Sequence, residues 1–241
     1  FRSTLEARAG EIVGFVGPNG AGKTTLFDVI SGFTRADLGR IVLGEGSDAV
    51  DVTRMTPAAR SRLGLGRSFQ DGRLFPGLTV AEVVAIAFER HLETRDPVAA
   101  ALHLPWVEET EHQVRFNVER LLETFGIVDF RDKLARELST GSRRVVDLAC
   151  VVAHGPRVLL LDEPSMGLAP MIVQQIFDII TKINQEGMTI VLVEQNAQKA
   201  LSVAHRAYVL ETGVVVMSGN AQDLLHDDAV KAAYLGTGAK H

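Results

Sequence analysis

Gly17-Pro18-Asn19-Gly20-Ala21-Gly22-Lys23-Thr24 fits the pattern G-x-x-x-x-G-K-[ST] with no mismatch. Its chemistry is phosphate binding. The glycines let the backbone turn without Cβ clashes, so successive N–H groups converge on one anion. A helix opening at Gly22 adds its positive end to the same place. Lys23 brings a mobile charge for the outer phosphates, the Thr24 hydroxyl is the expected Mg2+ ligand, and Thr25 lies on the same turn. The bland alternative is a Gly-rich turn, but the apolar strand before the run and the helical run after it supply the context that phosphate binding needs. A second pair, Asp162-Glu163, closes the apolar run Val158-Leu159-Leu160-Leu161. Parallel strands present functional groups at their C-terminal ends. Asp162 is placed to hold Mg2+ through water, and Glu163 to polarise an attacking water as general base. Alone, two acids there would equally suit a solvated strand end; the upstream phosphate loop decides for chemistry.

The elements that must position these groups alternate between strand and helix, the pattern of a parallel sheet covered by helices. Glu11 to Val16 reads as a short strand, followed by a helix with Leu26, Val29 and Ile30 on one face and Gly32 as its stop. Arg40 to Leu43 reads as another strand. From Thr79 to His154 helical periodicity takes over. Thr79 and Glu82 form a capping box, and Asp96-Pro97 reads as a further helix start. Val114, Val118, Leu121, Leu122 and Phe125 recur at helical spacing up to Gly126, and Trp106 is expected to pack inside this lobe. Strands return at Arg157 to Leu161 and Thr189 to Val193, around a helix bearing Ile172, Ile176, Ile179, Ile180 and Ile183. Ala207 to Leu210 and Val214 to Met217 read as a hairpin through Thr212-Gly213, and two short helices follow. The expected fold is α/β: a P-loop core with a parallel sheet and a flanking antiparallel β region, plus an inserted helical subdomain. The boundaries are 1–71 and 153–241 for the core and 72–152 for the helical subdomain.

The 241 residues, 46% apolar and 23% charged, describe an ordinary globular chain able to bury a large core. A net charge of −5 offers no footprint for nucleic acid. The one cysteine, Cys150, rules out an internal disulfide and, among Ala149, Val151 and Val152, reads as a small core residue. No run approaches the roughly 20 apolar residues of a membrane span. The opening Phe1-Arg2-Ser3 lacks a Met and runs almost directly into a strand, so the chain reads as a piece of something longer, with an N-terminal strand missing. His91, His103, His112, His154 and His205 show no metal-ligand spacing. Arg143 and Arg144 have the reach for phosphate, although arginine at an exposed helix start is the commoner case.

Leu138-Ser139-Thr140-Gly141-Ser142, between the phosphate loop and the Asp162 strand, resembles the LSGGQ signature of ABC ATPases. A Ser and a Gly precede a helix whose buried face is expected to be Val145, Leu148, Ala149 and Val152. In isolation this is a helix cap; its position makes it a signature. The resemblance covers nearly the whole chain. Gln70 in Arg67-Ser68-Phe69-Gln70 is similar to the family's Q-loop glutamine, which senses Mg2+ and the attacking water. Ser165-Met166-Gly167-Leu168-Ala169-Pro170 resembles the D-loop, which lies across the dimer interface. Phe69-Gln70 with Arg73-Leu74-Phe75-Pro76, the run Met166 to Pro170, Val193-Glu194-Gln195-Asn196 and Ala233-Tyr234-Leu235-Gly236 resemble the branched-chain amino-acid uptake group. Three departures stand out. Thr140 and Ser142 replace the common Gly and Gln. The switch position, usually His, is Gln195, which hydrogen-bonds but carries no proton or charge; its bland reading is a helix cap. The aromatic that stacks on adenine belongs upstream of the loop, and Phe1 is a poor match for it.

The resemblance implies ATP and Mg2+ as ligands. Gly17 to Thr25 hold the nucleotide, Thr24, Gln70 and Asp162 the metal, and Glu163, Gln195 and Gln70 serve hydrolysis. Ser139, Thr140, Gly141 and Ser142 come from a second ABC ATPase subunit, identical or not, in a head-to-tail pair. The further partners implied are membrane permease subunits or a fused permease domain and, indirectly, a solute-binding protein, with the chain peripheral on the cytoplasmic face of the membrane. A DNA-repair ABC protein would need a long coiled coil before the signature, and a ribosome-associated one usually carries two cassettes and basic linkers. A GTP switch would need a guanine-reading Asn/Thr-Lys-x-Asp motif, and a P-loop kinase has no use for the signature helix.

Overall fold

The computed structural model describes residues 4–68, 74–88 and 105–235, without the side chains of 105–110 and 235. Gln70, Asp96-Pro97 and the Trp106 side chain therefore lie outside the described residues. The chain divides into two compact units. One comprises residues 1–70, 156–166 and 180–241; the other comprises 71–155 and 167–179. The second unit thus takes in residues 167–179 as well as the helical stretch expected at 72–152.

In the first unit β1 (Ile12–Val16) is buried along its whole length, as its uninterrupted apolar run requires of a central parallel strand. It lies between β6 (Thr189–Glu194) and β7 (Arg206–Glu211), both parallel to it. The full sheet runs β4-β5-β6-β1-β7-β8, with β4 (Leu65–Arg67) and β5 (Val158–Asp162) completing the parallel part. β8 (Val214–Asn220) turns back antiparallel to β7. Thr212 (φ 46°) and Gly213 (φ 76°) both take positive φ, as a two-residue hairpin turn of primed type demands. The strand expected at Arg40 to Leu43 is shorter. β2 (Val42–Leu43) pairs antiparallel with β3 (Val50–Asp51) in a separate two-stranded sheet.

Helix α1 (Lys23–Ser31) follows β1 and ends at Gly32, whose φ of 86° is the left-handed C-cap conformation. Leu26 and Phe27 point into a core shared with Val13, Phe15, Leu160, Val191, Val193 and Leu210. The C-terminal end of α1 is held by Arg60 of α2 (Pro57–Arg62), which is 2% exposed. Its guanidinium donates to the carbonyls of Val29 (2.7 Å), Ile30 (2.6 Å), Thr53 (3.0 Å) and Met55 (3.2 Å). A buried cation there is satisfied by these carbonyls and complements the negative end of α1.

The second unit is helical. α3 (Val80–Phe88) starts with the expected capping box: Thr79 N donates to Glu82 Oε2 (2.8 Å) and Glu82 N donates to Thr79 Oγ1 (3.2 Å). Val118, Leu122 and Phe125 of α4 (Pro105–Phe125) are buried, and α4 stops at Gly126 with φ 65°. α5 (Thr140–Ala153) buries Val145, Val146, Leu148, Ala149 and Ala153. Val152, expected inside, is only half-buried, because the inward stripe drifts to Ala153 at the last turn. Cys150 is partly buried, its Sγ 3.9 Å from the Val83 carbonyl, and burial pushes its thiol up to about 12. α6 (Pro170–Gln185) has residues in both units. α7 (Ala197–Val203) follows β6, and α8 (Ala221–His226) with α9 (Asp228–Val230) comes after β8.

Candidate active site

The loop after β1 has the conformation its glycines permit. Gly20 (φ 81°) and Gly22 (φ 93°) adopt left-handed geometry, and a Cβ on Gly17 would lie 2.2 Å from the Leu210 carbonyl oxygen. Only glycine fits at position 17. The Ala21 carbonyl accepts from Gly213 N (2.9 Å), so the β7–β8 turn steadies the loop from behind. Pro18, Asn19, Gly20, Thr24 and Thr25 are exposed, while Ala21 and Lys23 are buried. Gly22 is the N-cap of α1, with no side-chain cap and no acid in the first turn. The helix start is therefore left to an outside anion. The Lys23 ammonium, 4% exposed, donates to the carbonyls of Gly17 (2.8 Å) and Pro18 (3.0 Å).

β5 and β6 bring the carboxylates to the same sheet edge. Val16 pairs with Glu194 and Asp162 with Val193, so the ends of β1, β5 and β6 lie side by side. Asp162 is 4% exposed. Burial raises its carboxyl above the usual range, partly offset by Arg67, whose Nη2 donates to Oδ2 at 3.1 Å. Its other oxygen, Oδ1, is buried with no hydrogen-bond partner among the described residues. A buried carboxylate oxygen left without a proton donor suits a hydrated divalent cation. Together with the exposed Thr24 hydroxyl on the first turn of α1 and the loop, the residues present fit Mg2+ bound beside phosphate. Glu163 sits at φ 46°, a costly conformation for a residue with Cβ and one that gathers at functional sites. Its backbone N donates to Val193 O (2.9 Å), and its Oε1 is 3.8 Å from Lys23 Nζ. The two neighbouring acids thus have different surroundings, Asp162 with Arg67 and Glu163 with Lys23.

Gln195 lies one residue beyond β6 and is exposed. It does not cap the next helix. That part belongs to Asn196, whose side chain accepts from Lys199 N (3.0 Å). Glu194, which the sequence offers only as part of the Val193-Glu194-Gln195-Asn196 run, is the last residue of β6, is 2% exposed and accepts from Ser165 N (3.0 Å). Burial raises its carboxyl, against the lowering effect of the Ser165 bond. The signal available was the one that marked Asp162, an acid closing an apolar strand.

Ser139 to Ser142 belong to the other unit. Ser139 is the N-cap of α5, its Oγ accepting from Ser142 N (3.1 Å). The helix begins at Thr140, so Gly141 stands inside the first turn rather than ahead of it. A Cβ there would press on Ile172 at 3.1 Å, which explains the glycine. Ser139 and Thr140 are exposed. Among the described residues no cluster of metal-ligating side chains occurs, and no helix is long and apolar enough to cross a membrane.

The sequence pattern of the family described as "ABC transporter" matches residues 2–166. The chain belongs to the ABC transporter ATPase family. It binds ATP with Mg2+ and hydrolyses ATP, and cassettes of this kind work as dimers with membrane permease partners. The cassette is 35% identical to the lipopolysaccharide export system ATP-binding protein LptB of Haemophilus influenzae, over 97% of this chain and 89% of that protein. It is 36% identical to the high-affinity branched-chain amino acid transport ATP-binding protein BraG of Pseudomonas aeruginosa, over 97% of this chain and 91% of that one. Among solved structures it resembles the ADP conformation of an ATP-binding cassette of an ABC transporter, with TM-score 0.74 and 26% identity over 96% of this chain and 90% of that chain.

Proposed function

We propose that this cassette drives import of branched-chain amino acids or related small solutes, bound to a permease on the cytoplasmic face of the membrane and served by a solute-binding protein. The observation that carries the catalytic half is the gathering of an uncapped helix start, Lys23, Asp162 and Glu163 at the ends of β1 and β5. Residues 17–25 hold the triphosphate, with Lys23 moving from loop carbonyls to the outer phosphates. Thr24, Asp162 and Gln70 would hold Mg2+, Asp162 through water, and the ion would supply charge neutralisation at the phosphoryl group. Glu163 takes the proton of the attacking water, and Gln195 donates its amide to a γ-phosphate oxygen. Ser139, Thr140, Gly141 and Ser142 of a second cassette, identical or not, close over the nucleotide. Loss of the γ-phosphate contacts on hydrolysis then releases the pair.

The import reading rests on sequence runs such as Met166 to Pro170 and Val193 to Asn196, and on the likeness to BraG. A second reading, export of a lipid-linked glycan, is favoured by the comparable likeness to LptB. Lys23→Ala tests both halves. The purified variant is expected to lose MgATP affinity by at least about 100-fold, because the outer phosphates lose their cation; unchanged affinity contradicts the site. In cells, loss of labelled-leucine uptake supports import. Intact uptake with impaired lipopolysaccharide export supports the other reading.

A further inference from the structure

Arg67 ends β4, three residues before Gln70, and its side chain is only 9% exposed. Its guanidinium bridges two elements of the nucleotide site. Nη1 donates to Asp28 Oδ1 (2.7 Å) and to Ser31 Oγ (2.7 Å), both on α1. Nη2 donates to Asp162 Oδ2 (3.1 Å) at the end of β5. Phe27 and Phe33 flank it, their ring centroids 5.9 and 5.7 Å from the guanidinium carbon. The planar fork is thus held by two carboxylates, a hydroxyl and two rings, an arrangement that a lysine ammonium cannot reproduce. One consequence falls on Asp162. With Oδ2 occupied by Arg67, the carboxylate cannot rotate freely, and Oδ1 alone is left without a hydrogen-bond partner among the described residues.

We infer that Arg67 is a positioning residue for metal binding: pinned by Asp28 and Ser31, it fixes the Asp162 carboxylate so that Oδ1 is the oxygen offered to Mg2+. The inference rests on Asp162 being the metal-binding acid. A rigid carboxylate binds a hydrated cation without first losing rotational freedom, the general gain from hydrogen bonds that hold a ligating carboxylate from behind. Because Asp28 is about one-third exposed, its replacement loosens the pin with little disturbance of the core.

The test is Mn2+ binding to the ADP-loaded protein, read from the free-Mn2+ signal in electron paramagnetic resonance, beside ADP affinity measured in chelator. The variants are Arg67→Gln, Arg67→Lys, Asp28→Asn and, as control, Asp162→Asn. Expected are a loss of Mn2+ affinity of about tenfold in Arg67→Gln, partial recovery in Arg67→Lys, an intermediate loss in Asp28→Asn, and unchanged metal-free ADP affinity in each. If Arg67→Gln does not fold, Arg67→Lys and Asp28→Asn carry the test. Wild-type Mn2+ affinity in both of these, with loss in Asp162→Asn, overturns the role of Arg67. Wild-type Mn2+ affinity in Asp162→Asn overturns the reading of Asp162 itself.

Discussion

Asp147, on α5, shows how burial outweighs a neighbouring cation in setting the behaviour of a side chain away from the chemistry. Its carboxyl is raised to about 6 by burial, with Arg144 pulling the other way. An acid whose folded pKa lies above the unfolded value stabilises the protein fully only below the unfolded value. That contribution is lost as pH rises toward 6, and the charged form then weighs on the fold. Asp147→Asn should therefore raise the melting temperature at pH 7.5 and converge with the wild type near pH 4. A shift of this size corresponds to at most about 3 kcal/mol, reduced by the side chain's partial exposure. Equal melting temperatures at pH 7.5 would show that the carboxylate is solvated in the native protein. Cys150, on the same helix, has its thiol pushed up to about 12 by burial, which keeps it protonated and inert as a nucleophile at neutral pH.

At the scale of elements, α1 is fixed from both ends, by the loop at its start and by Arg60 at its finish. Removing the guanidinium takes a donor from four carbonyls in a buried setting, of which that of Val29 keeps a backbone donor, the Gly32 N–H. Arg60→Met is expected to destabilise by about 3 kcal/mol or more in chemical denaturation, with Arg60→Lys little better because three donors replace a five-donor fork. A loss below about 1 kcal/mol would show that water replaces the arginine there. These two ends differ in how legible they were in sequence. The Gly17 to Thr24 run is contiguous and its residue types follow from local backbone geometry, so strand, loop and helix could be placed directly. Val158 to Glu163 was legible for the same reason, as was the Thr79–Glu82 capping box. Arg60 and Arg67 were not. The partners of Arg67 lie 36, 39 and 95 residues away in sequence, and no local pattern encodes such meetings. β4 and β3 carry no periodic signal because three and two residues are too few to show a period. The Ser139 run suggested a glycine ahead of a helix, whereas Ser139 caps a helix that already begins at Thr140, and Gly141 is small because Ile172 is close.

Over the whole molecule, two compact units divide the proposed machinery: the phosphate loop, Asp162, Glu163 and Gln195 in one, the Ser139 to Ser142 run in the other. The sheet order β4-β5-β6-β1-β7-β8 puts the ends of β5, β6 and β1 next to one another, and no reading of strands one at a time supplies that order. It is the sheet that gives Asp162 and Glu163 different surroundings from adjacent positions in the chain. The proposed account makes Glu163 the base, held at positive φ beside Lys23, while Asp162 remains with Arg67 for the metal. The steady-state ATP hydrolysis rate of Glu163→Gln, measured beside its ATP affinity, tests this division most directly. The account predicts turnover lowered roughly 10²–10⁴-fold with ATP binding retained; turnover near that of the wild type would contradict it.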